Sequence, residues 1–188
     1  MGEISTPAAA TRAAQAPGGL SLPPHRKGFG LERAFYASPE VFAAEMERVF
    51  SRAWMFAGHA CEIPKPGDWF TVEIGGDGAA ESVIVTRGSD GKIRAFFNVC
   101  RHRGSRICTS GHGNSSAFVC PYHAWAYDLN GRLLRDTTAD HGVPPGELSL
   151  RSVAVRETGG LIFVNLSASF ETGAARPPQD EEVEKEWA

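Results

Sequence analysis

The pattern of apolar and polar positions divides the chain into one helical segment followed by many short strands. A helix is predicted from residue 38 to about residue 52, because Ser38 is a good N-cap and Pro39 suits the first helical position. Apolar residues then recur at helical spacing at Phe42, Met46, Val49, Phe50 and Ala53. This spacing predicts a single buried face on the helix.

After the helix, apolar and aromatic runs become short and turn residues separate them, which is typical of strands. The runs cover residues 54–59, 69–74, 82–87, 93–98, 117–120, 125–129, 132–134, 152–158 and 161–166. Asn130-Gly131 predicts a two-residue type I′ hairpin, because such a turn needs positive φ at both residues. The predicted fold class is mainly β, an antiparallel β-sheet domain behind an amino-terminal helix.

Composition suggests where this domain begins and ends. Residues 1–30 are rich in Ala, Pro, Gly and Thr and are predicted to form a flexible arm. Residues 169–188 contain an acidic run and are predicted to be an acidic linker or tail, which leaves residues 31–168 for the folded domain.

Charge and hydropathy exclude two classes of partner. The 188 residues carry a net charge of -3 without a block of Lys and Arg, so we expect no nucleic-acid partner. No apolar run approaches the length of a membrane span, so we expect no membrane association. The spacing of the four cysteines does not suggest a disulfide framework, and a cytoplasmic location is predicted.

Candidate chemistry is concentrated in residues 98–128, where Cys100-x-His102 and Cys120-x-x-His123 are separated by seventeen residues. Two thiolates and two imidazoles form the donor set of a soft-metal centre. A four-coordinate zinc ion and a binuclear iron-sulfur cluster both accept this set, although zinc sites usually place their cysteines together and their histidines together. Cys61 is instead predicted to be a small buried hydrophobic residue, as is Cys108.

The segments CRHRG at 100–104 and CPYHAW at 120–125 resemble the Rieske [2Fe-2S] signature of ring-hydroxylating-type oxygenase α subunits. The resemblance extends over about residues 35–166 and is nearest in style to the branches acting on quaternary amines and aromatic acids. It implies a Rieske-type β domain with a cluster-binding subdomain of two loops. Members of this family usually have glycine where this chain has Ala124, so the backbone there must tolerate a Cβ.

For the site, the resemblance implies a Rieske-type 2Fe-2S cluster as cofactor. Cys100 and Cys120 would hold the inner iron, and His102 and His123 the outer iron near the surface. Neutral imidazole ligands raise the potential of such a cluster relative to an all-cysteine cluster. No residue of this chain is assigned a catalytic role in substrate oxidation.

For function, the resemblance implies electron transfer by the Rieske portion of a hydroxylase or demethylase α subunit. The donor would be an NAD(P)H-dependent reductase or a ferredoxin, and the acceptor a mononuclear Fe(II) on an oxygenase catalytic domain or subunit. The full-length family form would be a homotrimer. The 188 residues contain no His-x-x-x-His spacing with a matching carboxylate, so we expect no mononuclear iron site within them and no substrate oxygenation by this part alone.

Two alternatives remain open from the sequence. One is a stand-alone electron carrier of the Rieske-ferredoxin type. The other is an interaction module stabilised by zinc and without redox function.

Overall fold

The computed structural model describes residues 26–75, 80–137 and 142–167. Most of the predicted arm and all of the predicted acidic tail therefore lie outside the described residues. The chain divides into two compact units, with the division between Val49 and Phe50. Within the described ranges no helix combines the length and the hydropathy that crossing a membrane requires.

The amino-terminal unit contains the predicted helix, but in a shorter form. A four-residue helix α1 (Ala34–Ala37) precedes α2 (Pro39–Glu45), and the Ser38 hydroxyl caps α2 by accepting a hydrogen bond from the amide of Val41 at 3.3 Å. The N-cap prediction is therefore confirmed.

The predicted second half of this helix is wrong, because Met46–Phe50 form a π-helical segment. A π turn contains more residues than an α turn, so the apolar positions do not stay on one face. Val41 is buried, whereas Phe42 and Val49 are exposed. The single buried face that the spacing predicts is not formed.

From Phe50 onward the described chain is built mainly from strands, which confirms the predicted fold class. The strands are β1 (Met55–His59), β2 (Asp68–Ile74), β3 (Glu81–Arg87), β4 (Ile93–Phe97), β5 (His112–Asn114), β6 (Ala117–Val119), β7 (Ala126–Asp128), β8 (Leu133–Arg135), β9 (Ser152–Thr158) and β10 (Leu161–Asn165). Short 3₁₀ helices occur at Ala60–Glu62 and Pro145–Leu148. Each predicted strand is present within a residue or two, and β5 is an addition that the sequence does not predict.

Antiparallel pairing joins these strands into two sheets. The larger sheet has seven strands in the order β1-β10-β9-β4-β3-β2-β5, and the smaller has three in the order β6-β7-β8. A Cβ on Gly58 of β1 would lie 2.7 Å from the ring of Phe70 on β2. Strands near opposite ends of the strand order in the larger sheet therefore come into contact. The larger sheet is therefore strongly curled.

Strands β3 and β4 are buried on both faces. Val83 and Val85 of β3 belong to a hydrophobic cluster inside the curled sheet, whereas Ile84 between them belongs to a second cluster. On β4 the same alternation places Ala95 in the inner cluster and Phe96 in the second. The second cluster also contains the following buried residues: Cys100, Ile107, Cys108, Phe118, Cys120, Trp125, Tyr127, Leu129 and Leu150.

The predicted hairpin between β7 and β8 is present, but its turn type differs. Gly131 has φ of 80°, and Ala124 is the sole non-glycine residue of the described chain with positive φ, so Asn130 does not adopt the type I′ conformation. The side chain of Asp128 accepts hydrogen bonds from the amides of Asn130 and Arg132, both at 2.8 Å. One left-handed glycine at the end of the turn is the arrangement of a G1 bulge.

Candidate metal centre

The four residues of the Cys/His pattern lie in two loops that the second hydrophobic cluster supports. The first loop (residues 98–108) follows β4, and the second loop (residues 120–125) connects β6 to β7. The first carries Cys100 and His102, and the second carries Cys120 and His123.

The two loops have the same backbone closure. In each, the amide of the cysteine donates to the carbonyl five residues later at 2.8 Å, and the amide four residues later donates to the cysteine carbonyl at 3.0 Å. The residue four positions after the cysteine has positive φ in both loops, 71° at Gly104 and 55° at Ala124. The left-handed backbone at this position thus carries the Cβ of Ala124, where the family that the sequence resembles usually has glycine.

Asn98 holds the first loop against the larger sheet. Its side-chain oxygen accepts hydrogen bonds from the amides of Ile107 at 3.1 Å and Cys108 at 2.8 Å. Its side-chain nitrogen donates to the Ser82 hydroxyl at 3.2 Å and to the Cys108 carbonyl at 2.7 Å. Because Asn98 is only 1 % exposed, these bonds satisfy polar groups that water does not reach.

The sulfur and imidazole groups occupy different depths. Cys100 and Cys120 are each 2 % exposed, whereas His102 and His123 are half-buried. The two imidazole rings meet edge to face, with centroids 4.6 Å apart. The ring of His102 also stacks on buried Trp125 at 4.9 Å with an interplanar angle of 8°. The structure therefore brings all four residues together, with the sulfurs inside and the imidazoles outside.

Backbone amides donate to both sulfurs, one amide to Cys100 and two to Cys120. Burial raises the pKa of the Cys100 thiol above its ordinary value, against the opposing effects of the Tyr127 hydroxyl and the His102 amide. Burial also raises the pKa of Cys120, but hydrogen bonds from the amides of Tyr122 and His123, together with those from the side chains of Cys100 and Ser105, leave that pKa below its ordinary value. Donors of this kind stabilise a thiolate, which is the form that binds metals.

The hydroxyl of Tyr127 is a further polar contact of the site. It lies 3.3 Å from the sulfur of Cys100 and accepts a hydrogen bond from the amide of Arg101 at 3.1 Å. Burial and the neighbouring Cys100 raise the pKa of Tyr127, so the phenol keeps its proton and can donate it to the sulfur. The sequence does not assign this role, because it depends on a contact between residues that are 27 positions apart.

The other cysteines lie outside the site. Cys108 is buried as predicted, and burial raises the pKa of its thiol to about 12. Cys61 is exposed, so the prediction that it is buried is wrong. Cys61 lies on the short helix at Ala60–Glu62. His59 is the N-cap of this helix, and its ring accepts a hydrogen bond from the Cys61 amide at 3.1 Å.

The two described histidines outside the pattern, His59 and His112, are not grouped into a second site. His112 lies exposed on β5, and His25 and His141 lie outside the described residues. Within the described ranges no three His, Cys, Asp or Glu side chains converge on one metal-ion position. A binuclear cluster needs only two protein ligands at each iron, and the two sulfurs and two imidazoles fit that requirement by their chemistry.

We expect Ala124→Gly to stabilise the protein, because a left-handed alanine costs about 1–2 kcal/mol and the flexibility of glycine offsets only part of the gain. The expected net gain in the free energy of unfolding is about 0.5–1 kcal/mol, measured by denaturation followed by circular dichroism.

The matching control is Gly104→Ala, at the equivalent position of the first loop. An added Cβ there would meet no atom within 4 Å, so only the positive φ would oppose it. A loss of about 1 kcal/mol is expected. Equal effects of the same sign from both substitutions would contradict the backbone explanation.

Comparison with known proteins agrees with this geometry. Residues 53–153 match the family model of the Rieske [2Fe-2S] domain. The glycine betaine monooxygenase oxygenase subunit of Chromohalobacter salexigens is 47% identical over 140 residues, which cover 73% of this chain and 30% of that protein. The benzene 1,2-dioxygenase subunit alpha of Pseudomonas putida is 41% identical, with 72% of this chain and 30% of that protein covered.

Solved structures show the same relationship. The apo form of the quaternary ammonium Rieske monooxygenase CntA superposes with a TM-score of 0.66 at 33% identity, covering 71% of this chain and 38% of that chain. A naphthalene 1,2-dioxygenase structure gives a TM-score of 0.67 at 33% identity, covering 78% of this chain and 32% of that chain. The chain spans about a third of the length of these relatives. It belongs to the Rieske [2Fe-2S] domain family, and within it to the domain found in Rieske oxygenase α subunits.

Proposed function

We propose that Cys100, His102, Cys120 and His123 are the ligands of a Rieske [2Fe-2S] cluster, and that the domain transfers single electrons within a non-haem iron oxygenase. The observation that supports this most directly is the pair of loops with identical backbone closure, each presenting one cysteine and one histidine. A cluster bound there would supply reversible one-electron transfer, at a potential raised by its neutral imidazole ligands.

In this proposal the inner side of the site stabilises negative charge and excludes water. The amides of His102, Tyr122 and His123 donate hydrogen bonds to the buried sulfurs, which lowers the energy of the thiolates. Trp125 and Tyr127 are 1 % and 0 % exposed and form the floor beneath the ligand residues.

The outer side provides the route for electrons. His102 and His123 are the ligand residues that remain half-exposed, so they give the shortest connection from the site to a partner at the surface. The donor would be a ferredoxin or an NAD(P)H-dependent reductase, and the acceptor a mononuclear iron of an oxygenase catalytic domain. A related structure, of a quaternary ammonium Rieske monooxygenase, is described in terms of inter-subunit electron transfer, which supports an acceptor in a neighbouring subunit.

The test of the proposed function is the metal content and spectrum of the purified protein. We expect two irons and two acid-labile sulfides per chain, as the cluster composition requires. After reduction with dithionite, electron paramagnetic resonance should show a binuclear cluster whose spectrum contains couplings to two imidazole nitrogens. Zinc without sulfide would sink the proposal and favour a structural zinc module.

The histidine ligands can be tested by His123→Cys. A thiolate in place of a neutral imidazole adds negative charge to the cluster, so the midpoint potential should fall, by roughly 100 mV or more, while iron is retained. His112→Cys places the same change on exposed β5 and should leave the potential unaltered. An unchanged potential in His123→Cys would show that the ligand assignment is wrong.

The hydrogen bond from Tyr127 predicts a smaller effect. Tyr127→Phe removes a donor to the Cys100 sulfur, and that donor favours the more negative, reduced state. If the lost hydrogen bond is worth about 0.5–1.5 kcal/mol, the midpoint potential of the one-electron couple in Tyr127→Phe should be about 20–65 mV lower than in the unsubstituted protein.

The matched control for this measurement is Tyr122→Phe, in the second loop. Tyr122 is 60% exposed, and its ring lies 3.8 Å from that of His123, a contact that phenylalanine would keep. Equal shifts from the two substitutions would mean that the hydrogen bond to sulfur is not the cause.

A further inference from the structure

Two arginines line a small cavity beside the first loop. The cavity has a volume of about 310 Å³ and is lined by Glu81, Phe97, Val99, Arg101 and Arg151. Arg101 lies between Cys100 and His102 in the first loop, and Arg151 immediately precedes β9. The amide of Phe97 at the end of β4 donates a hydrogen bond to the carbonyl of Arg151 at 3.0 Å, and this bond holds the backbone of Arg151 in place.

Neither guanidinium of this cavity takes part in an ion pair within the described part of the chain. The pairs found there are Arg94 with Asp90, Arg106 with Glu73, and Arg132 with Asp128. The Nε atom of Arg101 is buried and has no hydrogen-bond acceptor among the described residues. Its Nη2 atom donates to the carbonyl of Glu147 at the long distance of 3.4 Å. An N–H that solvent does not reach is not open to a ligand either, so the terminal nitrogens of Arg101 are the donors that a ligand in the cavity would meet.

The charges and the wall of the cavity indicate which ligand would do so. Two guanidinium groups and the exposed carboxylate of Glu81 leave one net positive charge, which suits a monoanion. Guanidinium groups bind carboxylates through paired N–H donors. Phe97 is 8% exposed and Val99 is 40% exposed, and both offer an apolar wall to an aliphatic stem.

We propose that this cavity binds one carboxylate group, held by Arg101 and Arg151, with the carbon chain of the ligand against Phe97 and Val99. The carboxylate belongs either to a small free acid or to an Asp or Glu side chain of a protein partner. The site is adjacent to the proposed cluster, because the amide of Arg101 donates to the Tyr127 hydroxyl that contacts the Cys100 sulfur. A ligand at this position contacts the loop that carries two of the four proposed cluster ligands.

The test is calorimetric titration of the purified full chain at constant low ionic strength. The probes are acetate, butyrate, and a capped tripeptide with a central glutamate, compared with the same tripeptide carrying glutamine. Chloride at equal concentration serves as the control anion. We expect saturable binding of a carboxylate probe, with butyrate tighter than acetate because of the apolar wall, and no binding of the glutamine peptide.

The variants separate this site from general attraction to a basic surface. Arg151→Gln and Arg101→Gln should each weaken binding at least about tenfold, because each removes charge-assisted hydrogen bonds. Arg103→Gln removes an exposed arginine of the first loop that does not line the cavity, and it should leave binding unchanged. Glu81→Gln should tighten binding, because it removes from the cavity wall a negative charge that repels the carboxylate.

Each outcome decides the proposal. Binding of the free acids that is lost in the Arg151 variant supports a small-molecule ligand, and binding of the glutamate peptide alone supports a partner side chain. Absence of binding, equal binding in the Arg151 variant, or binding that occurs only after Glu81→Gln would overturn the proposal. The Arg151 variant lies outside both loops, and circular dichroism checks its fold, so the test does not depend on the Arg101 variant. Calorimetry does not require the cluster, so a failure here is distinct from a failure of the proposed electron transfer.

Discussion

The pair formed by β3 and β4 is the wall on which the rest of the structure depends. Its residues alternate between two hydrophobic clusters, so that Val85 packs inside the curled sheet while its neighbour Ile84 supports the loops. A strand pair buried on both faces has no free surface on which to shift relative to its neighbours. The position of the candidate metal centre is therefore set by the hydrophobic cluster inside the curled sheet, which packs on the opposite face of the same two strands.

On this wall the two loops are held by polar contacts that the protein makes with itself. Asn98 uses both its side-chain oxygen and its side-chain nitrogen in buried hydrogen bonds, and each loop closes through two backbone hydrogen bonds. An apolar residue in place of Asn98 would leave the amides of Ile107 and Cys108 buried without an acceptor. If these loops bind a metal centre as proposed, their residues would lose little further entropy on binding it, because their backbone is already ordered.

Features that depend on local pattern could be predicted from the sequence. Apolar runs between turn residues located the strands, and the spacing of the Cys and His residues singled out four residues that the structure brings together, whose role as ligands remains a proposal. Strand β5 was missed because His-Gly-Asn has no apolar signal, and it is a strand only through backbone pairing with β2. The predicted type I′ turn at Asn130-Gly131 is wrong, because the Asp128 side chain accepts hydrogen bonds from the amides of Asn130 and Arg132. With this acceptor in place, the turn forms without positive φ at Asn130. The roles of Asn98 and Tyr127 depend on contacts between distant residues, which no local pattern contains.

The difference between the two spacings of the pattern also has a structural consequence. The loops share one backbone closure, yet histidine stands two residues after Cys100 and three residues after Cys120. Tyr122 therefore occupies in the second loop the place that His102 occupies in the first, and the two histidines are not equivalent by position. Their rings meet at 70° rather than in parallel, with His102 backed by buried Trp125 and His123 flanked by exposed Tyr122. In the proposed function, a redox partner that approaches His123 would also contact the exposed ring of Tyr122 beside it. His102 is instead packed against the buried ring of Trp125.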